Sequence, residues 1–296
     1  MKKTRGDRIF DTIVIVLLLI LCVLCLYPFL NQVAISFNEG MDSAKGGITI
    51  FPRKFTTENY KELLFNKGYG YGRAFMITVS RAFLNMVISN IVMFAAAYAL
   101  TRKRLKGRKA FTTFFVIPMY LQAGVIPIYI LYRYLGLIDN FWVYVLPFSF
   151  AFYSMVIIRS FIQEIPPSLE ESALIDGANE ITVLFKIILP LSLPVLATVS
   201  LWILVGQWND WTSTLYYITD KKLYPLQYLM MQIIKEGDQQ RQVAVLEAQG
   251  ADASTKTTTE AVKAAMIVST SLPIIMVYPF LQKYFVKGVT LGAVKE

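Results

Sequence analysis

The sequence predicts an all-α membrane protein with six transmembrane helices, and three observations carry this prediction. Hydrophobic residues make up 55% of the 296 residues. Several apolar runs reach about 20 residues, the length that crosses about 30 Å of hydrocarbon. Charged residues gather in short loops between these runs instead of forming interleaved basic and aromatic patches. We therefore interpret the net charge of +9 as a signal of membrane orientation, and expect a lipid bilayer but no nucleic acid as a partner.

The predicted spans form a single transmembrane domain over residues 1–296. Basic residues precede the first span, as in a signal peptide, but its apolar region is long and no prompt cleavage site follows, so we expect it to stay uncleaved. Pro118 and Pro127 are expected to break the third span, and Pro273 and Pro279 the sixth. The six spans lie at about 9–30, 74–101, 110–133, 141–162, 189–208 and 262–286.

The distribution of positive charge predicts that both termini are cytoplasmic. The loop from Thr101 to Ala110 holds six Lys or Arg residues and no acid, and both terminal tails are also basic. With six spans, these three segments fall on one side of the membrane, and cytoplasmic segments carry an excess of Lys and Arg. Two long loops, about 31–73 and 209–261, then lie outside.

The two cysteines of the chain, Cys22 and Cys25, lie three residues apart inside the first span. The chain has no histidine that could complete a metal site with them. We interpret them as small apolar residues of a spanning helix and predict neither a metal site nor catalytic residues.

A polar segment, residues 163–189, separates the fourth and fifth spans and is therefore predicted to be cytoplasmic. A Pro-Pro pair ends the preceding helix, and the stretch from Ser168 to Glu171 fits a capping box. Gly177 is placed to end the short helix in a left-handed turn. From the residues alone, two interpretations stay open: a capped helix with a purely structural role, or a helix that sits in the groove of a partner protein.

This segment and the residues just after it carry a pattern of acidic, small, apolar and proline residues: Glu171, Ser172, Ala173, Asp176, Gly177, Ala178, Phe185, Ile188, Pro190 and Pro194. The pattern resembles the EAA loop of permease subunits of ATP-binding-cassette (ABC) importers. The family usually has alanine where this chain has Ser172, which is a small-for-small difference.

Similarity to the carbohydrate branch of this family, the maltose-importer type, extends along essentially the whole chain. It includes Ala96–Leu100 before the basic loop, Trp208–Asp210 after the fifth span, and Phe285–Lys295 near the C-terminus. Leu223–Gln227 and Tyr278–Tyr284 are similar to the alginate-importer type, which favours an oligosaccharide as the transported sugar.

The resemblance implies a type I ABC importer permease fold in the bacterial cytoplasmic membrane. It implies a second permease subunit, in a heterodimer, and two cytoplasmic ABC ATPase subunits that bind ATP and Mg. An extracellular solute-binding protein would deliver the sugar. This chain contains no Gly-x-x-x-x-Gly-Lys-Ser/Thr phosphate loop, so we expect it to hold no cofactor and not to be an enzyme itself.

The resemblance also implies that the short helix of residues 163–189 is a coupling helix moved by the ATPase. Glu171 would make the charged contact to the ATPase, Gly177 would set the turn, and Ala173 would allow close approach. The residues implied in this contact are Glu170, Glu171, Ser172, Ala173, Asp176, Gly177, Ala178, Phe185 and Pro190.

Candidates for the solute pathway are polar and aromatic residues inside the spans, because neutral sugars are bound by hydrogen-bonding groups and aromatic faces. Each is equally compatible with an interhelical contact. Arg81 would either bind an acidic sugar or extend to the membrane surface, and Asn209 lies in an interfacial segment that is an anchor, a gate or a docking site. The candidates are Arg81, Asn85, Asn90, Gln122, Tyr153, Ser154, Trp202, Gln207 and Asn209.

Two alternatives to a sugar importer stay open. The first is an ABC permease for amino acids, peptides or anions, because the EAA loop occurs in those importers as well. The second is an ion-coupled carrier that works alone. Such a carrier predicts carboxylates inside the membrane, and the spans contain almost none beyond Asp11 at the inner edge.

Overall fold

The computed structural model describes residues 5–66, 68–121, 123–235 and 258–293, and the regular structure of these residues is helical. An isolated antiparallel bridge joins Asn38 to Phe55. The helices are α1 (Arg5–Ser36), α2 (Gly40–Ser43), α3 (Glu58–Phe65), α4 (Tyr71–Thr101), α5 (Arg108–Tyr120), α6 (Val125–Tyr134), α7 (Phe152–Glu164), α8 (Pro167–Ile175), α9 (Glu180–Val183), α10 (Leu189–Leu191), α11 (Leu193–Asn209), α12 (Thr212–Tyr217), α13 (226–235) and α14 (Thr259–Ala293).

Within the described residues, three helical stretches are long and apolar enough to cross a membrane: Gly6–Ser36, Tyr71–Thr101 and Thr259–Val277. They coincide with the predicted first, second and sixth spans. The predicted breaks at Pro273 and Pro279 are wrong, because α14 continues through both residues. The prediction of six spans is therefore matched directly at three positions.

The predicted fifth span corresponds to a bent pair of segments. Glu180–Leu191 and Leu193–Asn209 together are apolar enough to span, but they meet at an angle of 71°. Pro190 and Pro194 flank the bend. Proline lacks a backbone N–H and its ring clashes with the preceding turn, which accounts for a break between α10 and α11 at Ser192. The predicted start at residue 189 therefore lies in the first member of the pair, and α11 begins at Leu193.

The predicted third span is two shorter helices, α5 and α6. Helix α5 ends at Tyr120 and α6 begins at Val125, directly after Gly124 with its φ of 80°, so the break is not at either proline as predicted. Pro118 is inside α5, two residues before its end. Pro127 lies in the first turn of α6, where the missing N–H has no intrahelical partner to lose.

The prediction of a continuous helix over 141–162 is wrong in its first half. A 3₁₀ turn covers Phe141–Tyr144 and α7 begins only at Phe152. Irregular backbone at membrane depth requires hydrogen-bond partners within the protein. Helix α4 supplies them: the Asn85 amide donates to the Val145 carbonyl at 2.9 Å, and the Ser89 hydroxyl donates to the Phe148 carbonyl at 3.2 Å.

The chain divides into two compact units, Met1–Gly72 with Leu229–Pro273, and Arg73–Tyr228 with Ile274–Glu296. In the first unit, the loop after α1 is organised by the buried side chain of Asn38. Its amide donates to the Asp42 carboxylate and to the Ser43 hydroxyl, each at 3.0 Å. The hydrogen bond from Asn38, assisted by Arg53, holds the pKa of Asp42 below its usual value. The prediction of one domain over 1–296 concerns the chain in its membrane and stays a prediction.

The core of the second unit brings together the last turns of α4, helix α7, the segment before α10, and the first half of α11. This core supports the polar segment from α8 to α10. Its buried members are Met93, Phe94, Ala97, Leu100, Met155, Ile158, Ile162, Val183, Ile188, Val195, Leu196 and Val199.

Candidate functional site

Helix α8 is the short helix that the sequence predicted in the polar segment, but its N-terminus differs from the prediction. Pro166 occupies the N-cap and Pro167 the first helical position, and no side chain caps the helix. The predicted capping box between Ser168 and Glu171 is therefore wrong. Proline is favoured at the first helical position because its missing N–H would have no partner there and its φ is already helical. The side chain of Glu171 therefore does not cap α8.

The C-terminus of α8 has the predicted left-handed turn at Gly177. Its φ is +84°. The Ala178 N–H donates to the Ala173 carbonyl at 2.9 Å, and the Gly177 N–H donates to the Leu174 carbonyl at 3.1 Å. This pair of bonds is a Schellman motif, which satisfies the last carbonyls of a helix through a residue in the left-handed region. The prediction for Gly177 is confirmed.

The implied coupling residues divide into an inner and an outer set. Ala173 and Ala178 pack on the core of the second unit, so the close approach made by Ala173 is to the chain's own core. The outer set is exposed. The apolar side chains of Leu174 and Ile175 on the same short helix are exposed as well, Ile175 to 86%. The exposed residues of the outer set are Glu171, Ser172, Asp176, Gly177, Phe185 and Pro190.

Glu170 faces the basic loop between α4 and α5. Both of its carboxylate oxygens accept from the guanidinium of Arg102, one of them at 3.0 Å. The Arg102 guanidinium also stacks over the ring of Tyr98, 4.0 Å from the ring centroid. Burial alone would lower the pKa of Arg102, but the hydrogen bonds and charge of Glu170 outweigh it and raise that pKa above its usual value. A second ion pair joins Arg104 to Glu180.

Arg102 and Arg104 are functional candidates that the sequence reasoning missed. Both were interpreted only as part of the charge that orients the chain in the membrane. A signal was available, because the acid-free basic loop and the acidic start of the polar segment were predicted to lie on the same side of the membrane. Opposite charges on the same side indicate contact, but the sequence does not show which residues pair.

Arg81 lies fully buried in α4. Its guanidinium donates to the backbone carbonyls of Gln207 (2.6 Å) and Asp210, and forms an ion pair with the Asp210 carboxylate at 3.4 Å. It also lies 4.9 Å from the centroid of the Tyr144 ring. Arg81 therefore does not extend to the membrane surface, and in this conformation no part of it is available to a solute.

Three other pathway candidates are bonded or buried within the protein in this structure, and of these Asn90 makes the predicted contact between two helices. Asn85 bonds the Val145 carbonyl, the Asn90 amide donates to the Ser200 hydroxyl at 2.9 Å, and Gln207 is buried. Asn209 is exposed at the end of α11. Gln122 lies outside the described residues.

Tyr153 and Trp202 are the pathway candidates that the structure brings together with exposed faces. Tyr153 in α7 is 60% exposed and Trp202 in α11 is 39% exposed. Their rings stack with a centroid distance of 6.5 Å and an interplanar angle of 26°. Two adjacent aromatic faces form a platform of the kind that suits the apolar face of a sugar ring.

The protein family described as "Binding-protein-dependent transport system inner membrane component" matches residues 91–291. The match begins in α4 and contains the whole polar segment with α8. The chain belongs to this family. It is therefore a membrane-embedded permease component, as its resemblance to ABC importer permeases predicted.

Relatives within the family match the chain along its full length. Protein LplC of Bacillus subtilis (strain 168) is 36% identical over 299 residues, covering 100% of this chain and 98% of that protein. The polygalacturonan/rhamnogalacturonan transport system permease protein YtcP of the same organism is 33% identical over 294 residues, covering 98% of this chain and 99% of that protein.

The chain is similar in fold to a chain in a solved structure. The crystal structure of a bacterial ABC transporter involved in the import of the acidic polysaccharide alginate contains a chain that is 28% identical, with a TM-score of 0.86. The similarity covers 96% of this chain and 99% of that one. The helical fold of an ABC importer permease is thereby confirmed.

Proposed function

We propose that this chain is the transmembrane permease subunit of an ATP-driven importer for an oligosaccharide in the bacterial cytoplasmic membrane. Its partners are a second permease subunit in a heterodimer, two cytoplasmic ABC ATPase subunits and an extracellular solute-binding protein. ATP and Mg are bound by the ATPases. The observation that carries this proposal is the exposed α8, which is supported by the core and has a rigid backbone C-cap.

The surface of α8 suits the groove of a partner. It combines the exposed carboxylate of Glu171 with the exposed apolar side chains of Leu174 and Ile175. Contacts of this kind, an apolar anchor beside a charge, transmit force only if the helix moves as one piece. The Schellman motif and the packing of Ala173 on the core give α8 that rigidity.

Replacing Glu171 with alanine tests the proposed ATPase contact. We expect Glu171→Ala to reduce the amount of ATPase that co-purifies with the chain by about 5-fold or more, since one or two kcal/mol of contact energy changes an equilibrium by that factor. Insertion into the membrane should be unchanged because Glu171 is exposed and caps nothing. Glu164→Ala removes an exposed carboxylate at the end of α7 and serves as the matched control. Wild-type recovery of the ATPase with Glu171→Ala would contradict the assignment.

An oligosaccharide cargo is supported by the relatives and by the aromatic pair. Relatives are named as transport-system permeases for polygalacturonan/rhamnogalacturonan and for galactooligosaccharides, and the similar solved transporter is involved in the import of alginate. Tyr153 and Trp202 present exposed aromatic surface on which a sugar ring can pack, and Asn209 adds an exposed polar group near the end of α11. We propose this surface as part of the solute pathway.

Trp202→Ala is expected to lower uptake by the reconstituted importer about 2- to 10-fold, since an aromatic stacking contact contributes about 0.5–1.5 kcal/mol beyond the area it buries. Tyr153→Ala should have a smaller effect of the same sign, because Trp has the larger ring face. The measurement is uptake of oligogalacturonides of two to five units, compared with maltopentaose and with a mixture of amino acids. Tyr134→Ala, at an exposed tyrosine at the end of α6, is the control. Unchanged uptake of every transported solute in both variants would exclude the pair from the pathway.

We also propose six spans with both termini in the cytoplasm. The support is the positive charge of residues 101–110, together with the α4 side chains that satisfy the irregular backbone before α7. Cysteine labelling in intact cells tests this arrangement in a chain lacking Cys22 and Cys25. The variant Lys106→Cys should react only after the membrane is made permeable, and the variant Lys221→Cys should react directly. The reverse pattern would overturn the orientation.

A further inference from the structure

We propose that the basic loop between α4 and α5 is a mechanical link that holds α8 to the end of α4, with Arg102 as its positioning residue. The inference rests on the proposed function, because it explains how motion of the coupling helix reaches a membrane span. It gives Arg102 and Arg104 a role beyond the orientation of the chain in the membrane.

The link is built on the last turn of α4. Helix α4 ends at Thr101, and Arg102 follows it directly. The guanidinium of Arg102 stacks on the ring of Tyr98 and donates to both carboxylate oxygens of Glu170 in the first turn of α8. A two-point guanidinium–carboxylate contact fixes orientation as well as distance, which a lysine at the same position cannot do.

Burial determines which of the two ion pairs carries the link. The side chains of Arg102 and Glu170 are 27% and 20% exposed, whereas those of Arg104 and Glu180 are 71% and 52% exposed. Exposed pairs are screened by water and salt and contribute little. The Arg102–Glu170 pair is therefore the main connection, and Arg104 guides the segment after α8.

The packing beside the ion pair supports the same conclusion. Leu105 of the basic loop contacts the core that also receives Ala173 of α8 and Leu100 of α4. The basic loop, helix α8 and helix α4 therefore contact the same hydrophobic core. A displacement of α8 is transmitted to α4 through the charged pair and through this shared core.

The experiment measures the distance between α4 and α8 in the assembled importer in lipid vesicles. Spin labels are attached through Ala99→Cys in α4 and Ser168→Cys in α8, both at exposed positions, in a chain lacking Cys22 and Cys25. Distances are compared without nucleotide and after trapping with ATP and vanadate. In the otherwise unchanged chain, we expect a narrow distribution that is the same in both states.

With Arg102→Gln, we expect the distribution to widen about twofold and to depend on the nucleotide state, and ATP hydrolysis to continue while uptake of oligogalacturonides falls. A contact that only stabilises the fold would lower the melting temperature without making the distance depend on nucleotide. The matched control is Lys103→Gln, which removes a neighbouring exposed charge that has no acidic partner among the described residues.

Charge reversal distinguishes an effect of the Arg102–Glu170 ion pair from separate effects of the two side chains. Arg102→Glu and Glu170→Arg should each loosen the α4–α8 distance, and the double variant should restore the narrow distribution. Failure of the double variant to restore it, or wild-type distances with Arg102→Gln, would overturn the link. If the wild-type chain retained no ATPase, the proposed function would fail instead, whereas the distance in the isolated chain would still report on the link.

Discussion

Arg81→Met is expected to lower the free energy of unfolding by about 3–5 kcal/mol, which is the usual cost of removing one partner from a buried ion pair. The loss has three physical parts. Asp210 keeps a largely buried charge without its partner. The carbonyl of Gln207 loses its donor at the C-terminal end of α11, where a cation also interacts favourably with the helix dipole. The ring of Tyr144 loses the guanidinium beside it.

The measurement is denaturant-induced unfolding of the purified chain in detergent, followed by tryptophan fluorescence. Arg73→Met is the matched control, because Arg73 lies in the same helix and is exposed. Asp210→Asn should cost less than Arg81→Met, because it leaves the backbone carbonyls of α11 bonded to Arg81. Equal stability of Arg81→Met and Arg73→Met would show that the buried network is not structural.

The helices that could be predicted from the sequence are those whose apolar runs are long and uninterrupted. The bounds of α4 and the first part of α14 follow from hydropathy alone, because continuous burial in lipid leaves a continuous apolar run. The predicted start of the fourth span was wrong for a reason that hydropathy does not record. Residues 145–151 are apolar but irregular, and they are permitted by donors from Asn85 and Ser89 on another helix.

The candidate site shows the same division between local and distant information. Gly177 was predictable, because a left-handed helix end favours glycine through its own local geometry. The pairing of Glu170 with Arg102 was not predictable, because 68 residues separate the two partners. The sequence also does not show whether Glu170 or the neighbouring Glu171 pairs with the basic loop. Pro166 and Pro167 also replaced the predicted capping box, since a proline at the first helical position removes the need for a side-chain cap.

Substitutions at Gly177 are expected to reduce transport to different extents, in an order set by how well each new residue tolerates a positive φ. An added Cβ at Gly177 would meet no atom within 4 Å, although its φ is +84°. The cost of a side chain there is therefore backbone strain and not a clash. That strain is about 1–2 kcal/mol for an ordinary residue, smaller for asparagine and larger for a β-branched residue.

We therefore expect Gly177→Asn to keep most ATPase binding and uptake, Gly177→Ala to reduce both about 5–30-fold, and Gly177→Val to abolish them while the chain still inserts in the membrane. The strained variants must unwind the last turn of α8 or redirect the chain at Ala178, and either change moves the exposed Glu171 surface away from its groove. Gly72→Ala, which also adds a Cβ in open space but at an ordinary φ, is the control. Co-purification of the ATPase and solute uptake in vesicles measure the order. Wild-type behaviour of Gly177→Val would mean that the geometry of this turn does not position the coupling helix, because no other substitution in the series strains the backbone more.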